Sequence, residues 1–274
     1  MDAKIPQIIH YCWFGGNPLP ESAKQCIESW KKFCPGYEIK EWNESNYDIH
    51  NCPYVQEAYA AKKWAFVSDY ARFDILYTYG GLYFDTDVEL VRPIEDILEQ
   101  GAYLGMEPGE EEEILVNPGI GMAAAPLHPI YKAILDGYQA RHFLKEDGTF
   151  DFTTVVAFTT GYLQKYGLEE RKSIQCVEGI WIYPEEYFCP VNYYTGEEKF
   201  TENTRSIHHY MASWVSEEEM ASNRLKKSLR KRFGKTVGDK LHSVLSIPYK
   251  IKGKIRREGF FNAVRNFVRK RTKH

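Results

Sequence analysis

The sequence predicts an α/β domain with a mainly parallel central sheet flanked by helices, followed by a basic helical appendage. Three observations lead there. Short apolar runs that read as strands alternate with longer runs of helical periodicity over residues 5–140, the pattern of a parallel sheet with crossover helices. A chain of 274 residues that is 43% hydrophobic and 15% aromatic can bury one sizeable core. The charge also breaks sharply. From Arg224 to His274 there are 18 Lys and Arg against two acids, Asp239 and Glu258, whereas the preceding 223 residues carry 17 basic and 36 acidic side chains. A globular domain over 1–223 and a basic amphipathic tail over 224–274 follow.

Taken in order, "IPQIIHYCWFGG" is an apolar run stopped by Gly15-Gly16, a first strand and its turn. "PESAKQCIESWKKFCPG" places Cys26, Ile27, Trp30 and Phe33 on one side of a helix that Pro35-Gly36 ends. "YEIKEWN" alternates as a second strand. The stretch from Pro53 is helical in two pieces, stopped by Gly80-Gly81, and "LYFDTDVELV" then reads as one strand. "GAYLGMEP" and "EILVNPGIGMAAA" are further strands, and "HPIYKAILDGYQA" is a helix. Ligands of such sheets bind at the carboxyl ends of strands, where Trp13 to Gly16 and Asp85 would lie.

Several function classes drop out. The six cysteines are scattered without a C-x-x-C pair, which argues against zinc or a disulfide framework and for a reduced cytosolic setting. There is no internal repeat. No basic-then-apolar start with a cleavage site is present, so no signal peptide is expected. No apolar run approaches the roughly 18 residues of a membrane span.

The chemistry concentrates in Gly80–Leu90, where Asp85 and Asp87 interrupt an apolar run. Two residues apart on an extended segment, they would face one side together. A buried carboxylate needs a partner, and two neighbouring ones call for a cation between or beside them. All-oxygen ligation of this kind suits a hard divalent ion, Mg²⁺ or Mn²⁺. Just upstream, Asp69 and Arg72 share a helix face among apolar neighbours. Late in the domain, "SIHHYMASW" offers a histidine as a third ligand and Trp214 as a pocket wall.

The string S-D-x-x-R-x-x-x-L-x-x-x-G-G-x-Y-x-D-x-D, Ser68 to Asp87, resembles glycosyltransferase family 32, the DXD sugar-binding enzymes related to yeast initiating mannosyltransferases, bacterial capsule enzymes and the clostridial glucosylating toxins. The resemblance covers Ile5 to Gln100 and, more loosely, the "HHYMASW" end. It implies a GT-A fold and metal-dependent, retaining transfer of a sugar from a nucleotide donor, UDP-sugar before GDP-mannose, to a glycan or lipid-linked glycan in surface polysaccharide synthesis. It also implies roles. Trp13 would stack on the base and Tyr83 line the nucleotide site. Asp69 and Arg72 would hold the donor sugar and diphosphate side. Asp85 would contact the ribose or sugar and the metal, and Asp87 would ligate the metal, with His209, or else His208, completing the shell. Trp214 would cover the diphosphate, and Asn117 would touch the donor sugar or acceptor. The family's usual T-G-P element is "TTGYL" here, Thr159 to Leu163.

In the tail, Leu225, Leu229, Phe233, Val237 and Leu241 recur every four residues, and Phe260, Val264, Phe267 and Val268 continue the stripe. A basic helix with such a stripe is expected to lie on an anionic membrane surface, ahead of packing on the domain or binding nucleic acid. The expected location is cytoplasmic, peripherally bound to the inner face of the cell membrane. Two rival functions remain at this point. One is a haloacid-dehalogenase-like phosphatase with Asp85 as nucleophile and Asp87 as acid. The other is a non-catalytic protein whose tail binds nucleic acid.

Overall fold

A computed structural model describes residues 4–110, 113–211, 217–249 and 251–252. The chain divides into two compact units, Met1–Tyr193 with Glu197–Met211, and Tyr194–Gly196 with Ala212–His274.

In the first unit the elements run β1 (Ile8–Cys12), α1 (Glu21–Phe33), β2 (Glu38–Trp42), α2 (Pro53–Ala60), α3 (Trp64–Tyr79), β3 (Gly81–Tyr83), β4 (Val88–Leu90), α4 (Glu95–Leu98), β5 (Ala102–Glu107), β6 (Leu115–Ala124), α5 (Pro129–Gln139), α6 (Val155–Lys165), β7 (Gln175–Val177), β8 (Ile180–Tyr183), α7 (Glu185–Phe188) and β9 (Ser206–His208). Seven strands form one sheet in the order β2-β1-β3-β6-β5-β8-β7, and β4 pairs with β9 in a second, two-stranded sheet. The expected α/β architecture, a central sheet flanked by helices, is present. The sheet is mixed: β1 is parallel to β2 and β3, and β5 to β8, whereas β6 is antiparallel to both its neighbours and β7 to β8.

The sheet separates two apolar clusters. One holds Phe66, Tyr70 and Phe73 of α3, Ile130 and Ile134 of α5, and Leu163 of α6. The other holds Ile9 and Tyr11 of β1, Trp30 of α1, Ile97 of α4 and Phe188 of α7. Along β1 the side chains alternate between the two faces, as a pleated strand requires.

The join between α3 and β3 is set by steric necessity. Gly80 caps α3 at φ 66°, and a Cβ on Gly81 would stand 2.6 Å from the Ile8 carbonyl oxygen. Buried His10 locks this corner: its Nε2 donates to the Gly80 carbonyl at 3.0 Å, and its Nδ1 accepts from Trp42 Nε1 at 3.0 Å. Burial pushes the His10 imidazole down to about 4, so it stands neutral in the tautomer these partners demand.

"LYFDTDVELV" is not one strand. Pairing in the main sheet ends at Tyr83, Val88 N donates to the Asp85 carbonyl at 3.1 Å in a turn, and β4 leaves to join β9. Asp85 and Asp87 therefore lie in a turn between two sheets, not on one face of a strand. The Thr159–Leu163 segment lies inside α6, where Thr160 Oγ1 accepts from Val116 N at 2.9 Å and braces β6.

The second unit contains α8 (Glu217–Leu245), which Gly234 breaks with φ 75° and ψ 167°. A straight helix would hold residues twenty apart about 30 Å away from each other. Instead Ser222 Oγ meets His242 Nε2 at 2.9 Å, and Arg230 grips Asp239 through Nε (2.5 Å) and Nη2 (2.8 Å). The helix folds back as a hairpin, and Gly238 lets the arms touch: a Cβ there would be 2.7 Å from the Arg230 backbone nitrogen. The stripe spaced by four residues is thus divided between two arms. Phe260, Val264, Phe267 and Val268 lie outside the described residues. No helix among the described residues is long and apolar enough to cross a membrane.

Candidate active site

The site grows from α3. Asp69 and Arg72, one helical turn apart, are both buried among apolar neighbours. Arg72 Nε donates to the Ser68 carbonyl at 3.1 Å, which aims the guanidinium across the end of β3. There Nη2 meets Asp69 Oδ1 at 3.1 Å and Asp85 Oδ1 at 3.2 Å. Tyr83 OH donates to the same Asp85 oxygen at 2.9 Å. The main chain holds Asp85 as well, its N–H donating to the Gly119 carbonyl at 2.9 Å.

Gly119 forms the floor. A Cβ there would stand 2.1 Å from Asp85 Oδ2 and 3.0 Å from both Arg72 Nη1 and Asn117 Oδ1. Three polar groups from α3, the turn and β6 therefore converge over one bare Cα. Asn117 is pinned at both ends: Oδ1 accepts from Gly119 N at 2.7 Å, and Nδ2 donates to Glu107 Oε2 at 2.8 Å. Arg72 Nη1 is buried with no hydrogen-bond partner among the described residues. An unsatisfied guanidinium donor beside an open floor is a place for an anionic oxygen.

The second half of the site comes from β9. His208 Nε2 lies 3.4 Å from Asp87 Oδ2, which also accepts from Met211 N at 3.0 Å. The antiparallel register Val88↔His208 makes this pairing. His209, the residue expected to complete a metal shell, turns outward to Glu89 Oε2 at 2.8 Å and is largely exposed. It is His208 that reaches Asp87. Its ring lies against Tyr210, 4.0 Å between centroids and tilted by 41°.

The charges are arranged in opposed pairs. Burial pushes Asp69 up to about 7, with Arg72 partly opposing. Burial also raises Asp85, again against Arg72. Burial works against the Arg72 charge too, but Asp85, Tyr83 and Asp69 outweigh it and keep the guanidinium protonated. At Asp87 burial is outweighed by the His208 charge and the hydrogen bonds from His208 and Met211, so its carboxyl sits below the ordinary range. His208 is correspondingly raised well above its ordinary value, Asp87 overcoming burial.

Trp13 follows β1 at its carboxyl end. Its N–H donates to the Trp42 carbonyl at 2.8 Å, and its ring is partly buried with Nε1 donating to the Asn17 carbonyl at 2.6 Å. Trp214 lies outside the described residues. The structure therefore gathers Asp69, Arg72, Tyr83, Asp85 and Asn117 into one network, with Asp87 and His208 beside it.

Glu107 and Gly119 were not singled out by sequence. Glu107 ends the apolar strand "GAYLGMEP", the same signal of an acid closing an apolar run that marks Asp85. Burial raises its carboxyl, with the His208 charge opposing, so it faces both halves of the site.

A hard divalent cation suits the donor set of Asp85 and Asp87, whose carboxylates are both close to charge partners. Among the described residues no group of three or more His, Cys, Asp or Glu is gathered into a ready shell. A cation here would take its remaining ligands from a bound substrate.

Residues 20–104 match the family described as glycosyltransferase sugar-binding region containing DXD motif. Inositol phosphoceramide mannosyltransferase 1 of Schizosaccharomyces pombe is 29% identical over 166 residues, 54% of this chain and 48% of that protein. An uncharacterized glycosyltransferase of Acanthamoeba polyphaga mimivirus is 25% identical over 197 residues, 69% of this chain and 75% of that one. The match spans about half the length of the yeast relative. Among solved structures, the PaToxG glycosyltransferase is 18% identical, covers 60% of this chain and 70% of its own, and has a TM-score of 0.42.

Proposed function

We propose that this chain, which carries the DXD sugar-binding region of the glycosyltransferases at residues 20–104, is a metal-dependent glycosyltransferase of the retaining type. Its donor is a nucleotide sugar, a UDP-sugar first and GDP-mannose second. Its acceptor is a glycan or lipid-linked glycan in capsular or other surface polysaccharide synthesis. The yeast relative is named for mannosyl transfer to inositol phosphoceramide, which supports a lipid-borne acceptor and keeps mannose among the candidate sugars. The proposed setting is the cytoplasmic face of the cell membrane, with residues 224–274 on anionic lipid.

The observation that carries this reading is the convergence of Arg72, Asp85 and Asn117 over Gly119, beside Asp87 held ionised by His208. Arg72 places an unsatisfied, permanently charged donor where a diphosphate would lie. Charge that develops on a leaving diphosphate is best met by groups already oriented toward it, and Asp69, Asp85 and Ser68 fix the guanidinium in advance. Asp85 and Asp87 would hold Mn²⁺ or Mg²⁺, whose Lewis acidity supplies neutralisation of the departing phosphates. Asp69 and Asn117 would orient sugar hydroxyls. No protonated carboxylic acid is needed at the leaving oxygen, in contrast to most glycosidases.

A panel of nucleotide sugars assayed for slow hydrolysis with Mn²⁺ tests the reading. One donor is expected to be turned over, with the activity lost in Asp87→Ala. Turnover by Asp87→Ala without added metal, or no turnover of any nucleotide sugar by the wild type, would refute it.

A further inference from the structure

The hairpin of α8 has a face that no described residue of its own unit covers. On its second arm, Val237, Leu241, Val244 and Leu245 are 49%, 36%, 63% and 48% exposed. Their spacing of i, i+4, i+7 and i+8 puts them on one side of the helix. Gly238 and His242 occupy the side turned to the first arm, where they meet Arg230 and Ser222. Folding the helix back has therefore used one face and left an apolar stripe outward, bordered by Lys240.

Charge selects the occupant. From Glu217, where α8 begins, to Lys252 the chain carries ten Lys and Arg against four acids; Arg230 takes Asp239 with two hydrogen bonds, and Glu218 lies 3.6 Å from Lys252. The outward face thus offers an apolar strip within a net positive field. A second copy of this hairpin would bring like charge against like charge. A nucleic acid would satisfy the cations but leave the four apolar side chains with no matching surface. An anionic bilayer offers both, acyl chains under a negative headgroup layer.

We propose that the second arm of the hairpin docks flat in an anionic lipid interface, with Val237, Leu241, Val244 and Leu245 inserted and the flanking lysines and arginines at the headgroups. The docking rests on the proposed placement of residues 224–274 on anionic lipid and assigns it to one arm and one face. The Gly234 break is integral to it, because a continuous helix would not set one arm as backing for the other. The donor site plays no part in the docking.

The test is flotation of the full chain with phosphatidylcholine vesicles, with and without phosphatidylglycerol. The wild type is expected to float only with the anionic vesicles. A Leu241→Asp/Val244→Asp variant, both sites exposed and the thermal midpoint expected unchanged, should lose about tenfold or more in vesicle affinity. Each basic side chain near the surface is worth about fivefold, so Lys235→Ser/Lys240→Ser should lose about 25-fold. Wild-type flotation by the aspartate variant overturns the proposal. So does binding of duplex nucleic acid without binding of vesicles, or self-association that the aspartate variant abolishes while the wild type ignores lipid. Asp87→Asn, run alongside, should float as the wild type does, which keeps a failure of the donor-site reading distinct from a failure of docking.

Discussion

Replacing Gly119 with alanine isolates the geometry of the site from its chemistry, because no charged or hydrogen-bonding group is removed. The backbone at Gly119 is not in the left-handed region, so alanine adds no conformational strain there. What it adds is one methyl carbon, 2.1 Å from Asp85 Oδ2 and 3.0 Å from Arg72 Nη1 and Asn117 Oδ1. Ordinary contact is about 3.4 Å or more, so Asp85 Oδ2 must retreat by about 1.3 Å. Arg72 and Asn117 need give only a few tenths of an ångström. The Asp85 side chain is 31% exposed and can swing outward, so the stability loss should stay within the 1–3 kcal/mol or so typical of overpacking. Catalysis has no such latitude: a misplacement of about 1 Å costs on the order of 10²-fold in rate, about 2.7 kcal/mol in the barrier. The assay is kcat for donor hydrolysis beside a thermal midpoint. Gly161→Ala, on α6 with open space around its Cβ position, is the control and should gain about 0.5–1 kcal/mol of stability without loss of turnover. Wild-type kcat in Gly119→Ala would show that Asp85 need not sit over that floor, and the site as drawn would be wrong.

The two histidines should separate cleanly. His208→Ala strands Asp87 with little solvent and should cost about 3–5 kcal/mol of stability along with activity, whereas His209→Ala removes an exposed pair with Glu89 worth at most about 1 kcal/mol and should leave kcat intact. In the metal-free protein an NMR titration should find His208 protonated well above the ordinary histidine range, and Asp87→Asn should bring it down; an unshifted His208 in wild type contradicts the pairing. For His10 the sign runs the other way. Its folded value near 4 lies below the unfolded 6.5, so between them the unfolded chain binds a proton that the folded chain does not. Stability should therefore fall as pH drops through that window, by no more than about 3 kcal/mol, and His10→Gln should flatten the drop in denaturant midpoints; an unchanged slope in the variant would remove His10 as its source.

Much of this site was legible because it is local. The i, i+3 spacing of Asp69 and Arg72, the Gly80-Gly81 stop and the D-x-D lie within twenty residues, so helix periodicity and turn chemistry alone bring them near one another. What periodicity could not show was where the chain changes partners. Leu82 to Val91 reads as one apolar strand interrupted by two aspartates, yet β3 and β4 belong to different sheets, and the exchange happens at those aspartates. The choice between His208 and His209 had the same origin: it depends on the register of β9 against β4, a pairing across 120 residues. Gly119 carries no local mark of its role, since the demand for a bare Cα arises only when α3, the turn and β6 meet. In the tail, the four-residue stripe concealed a reversal. Gly234 was visible, but a glycine within a helical pattern is often tolerated, and only the Arg230–Asp239 and Ser222–His242 contacts show that the chain turns back.

In the proposed function Asp85 and Asp87 together hold a divalent cation that carries a nucleotide sugar's diphosphate. Calorimetry with UDP- and GDP-sugars, with and without Mn²⁺, on the wild type and on Asp85→Asn/Asp87→Asn measures that grip. The expected result is donor binding that requires Mn²⁺ in the wild type and vanishes in the variant while its fold persists by circular dichroism. Equal donor affinity in the two proteins, indifferent to the metal, would show that these aspartates do not hold the donor through a cation.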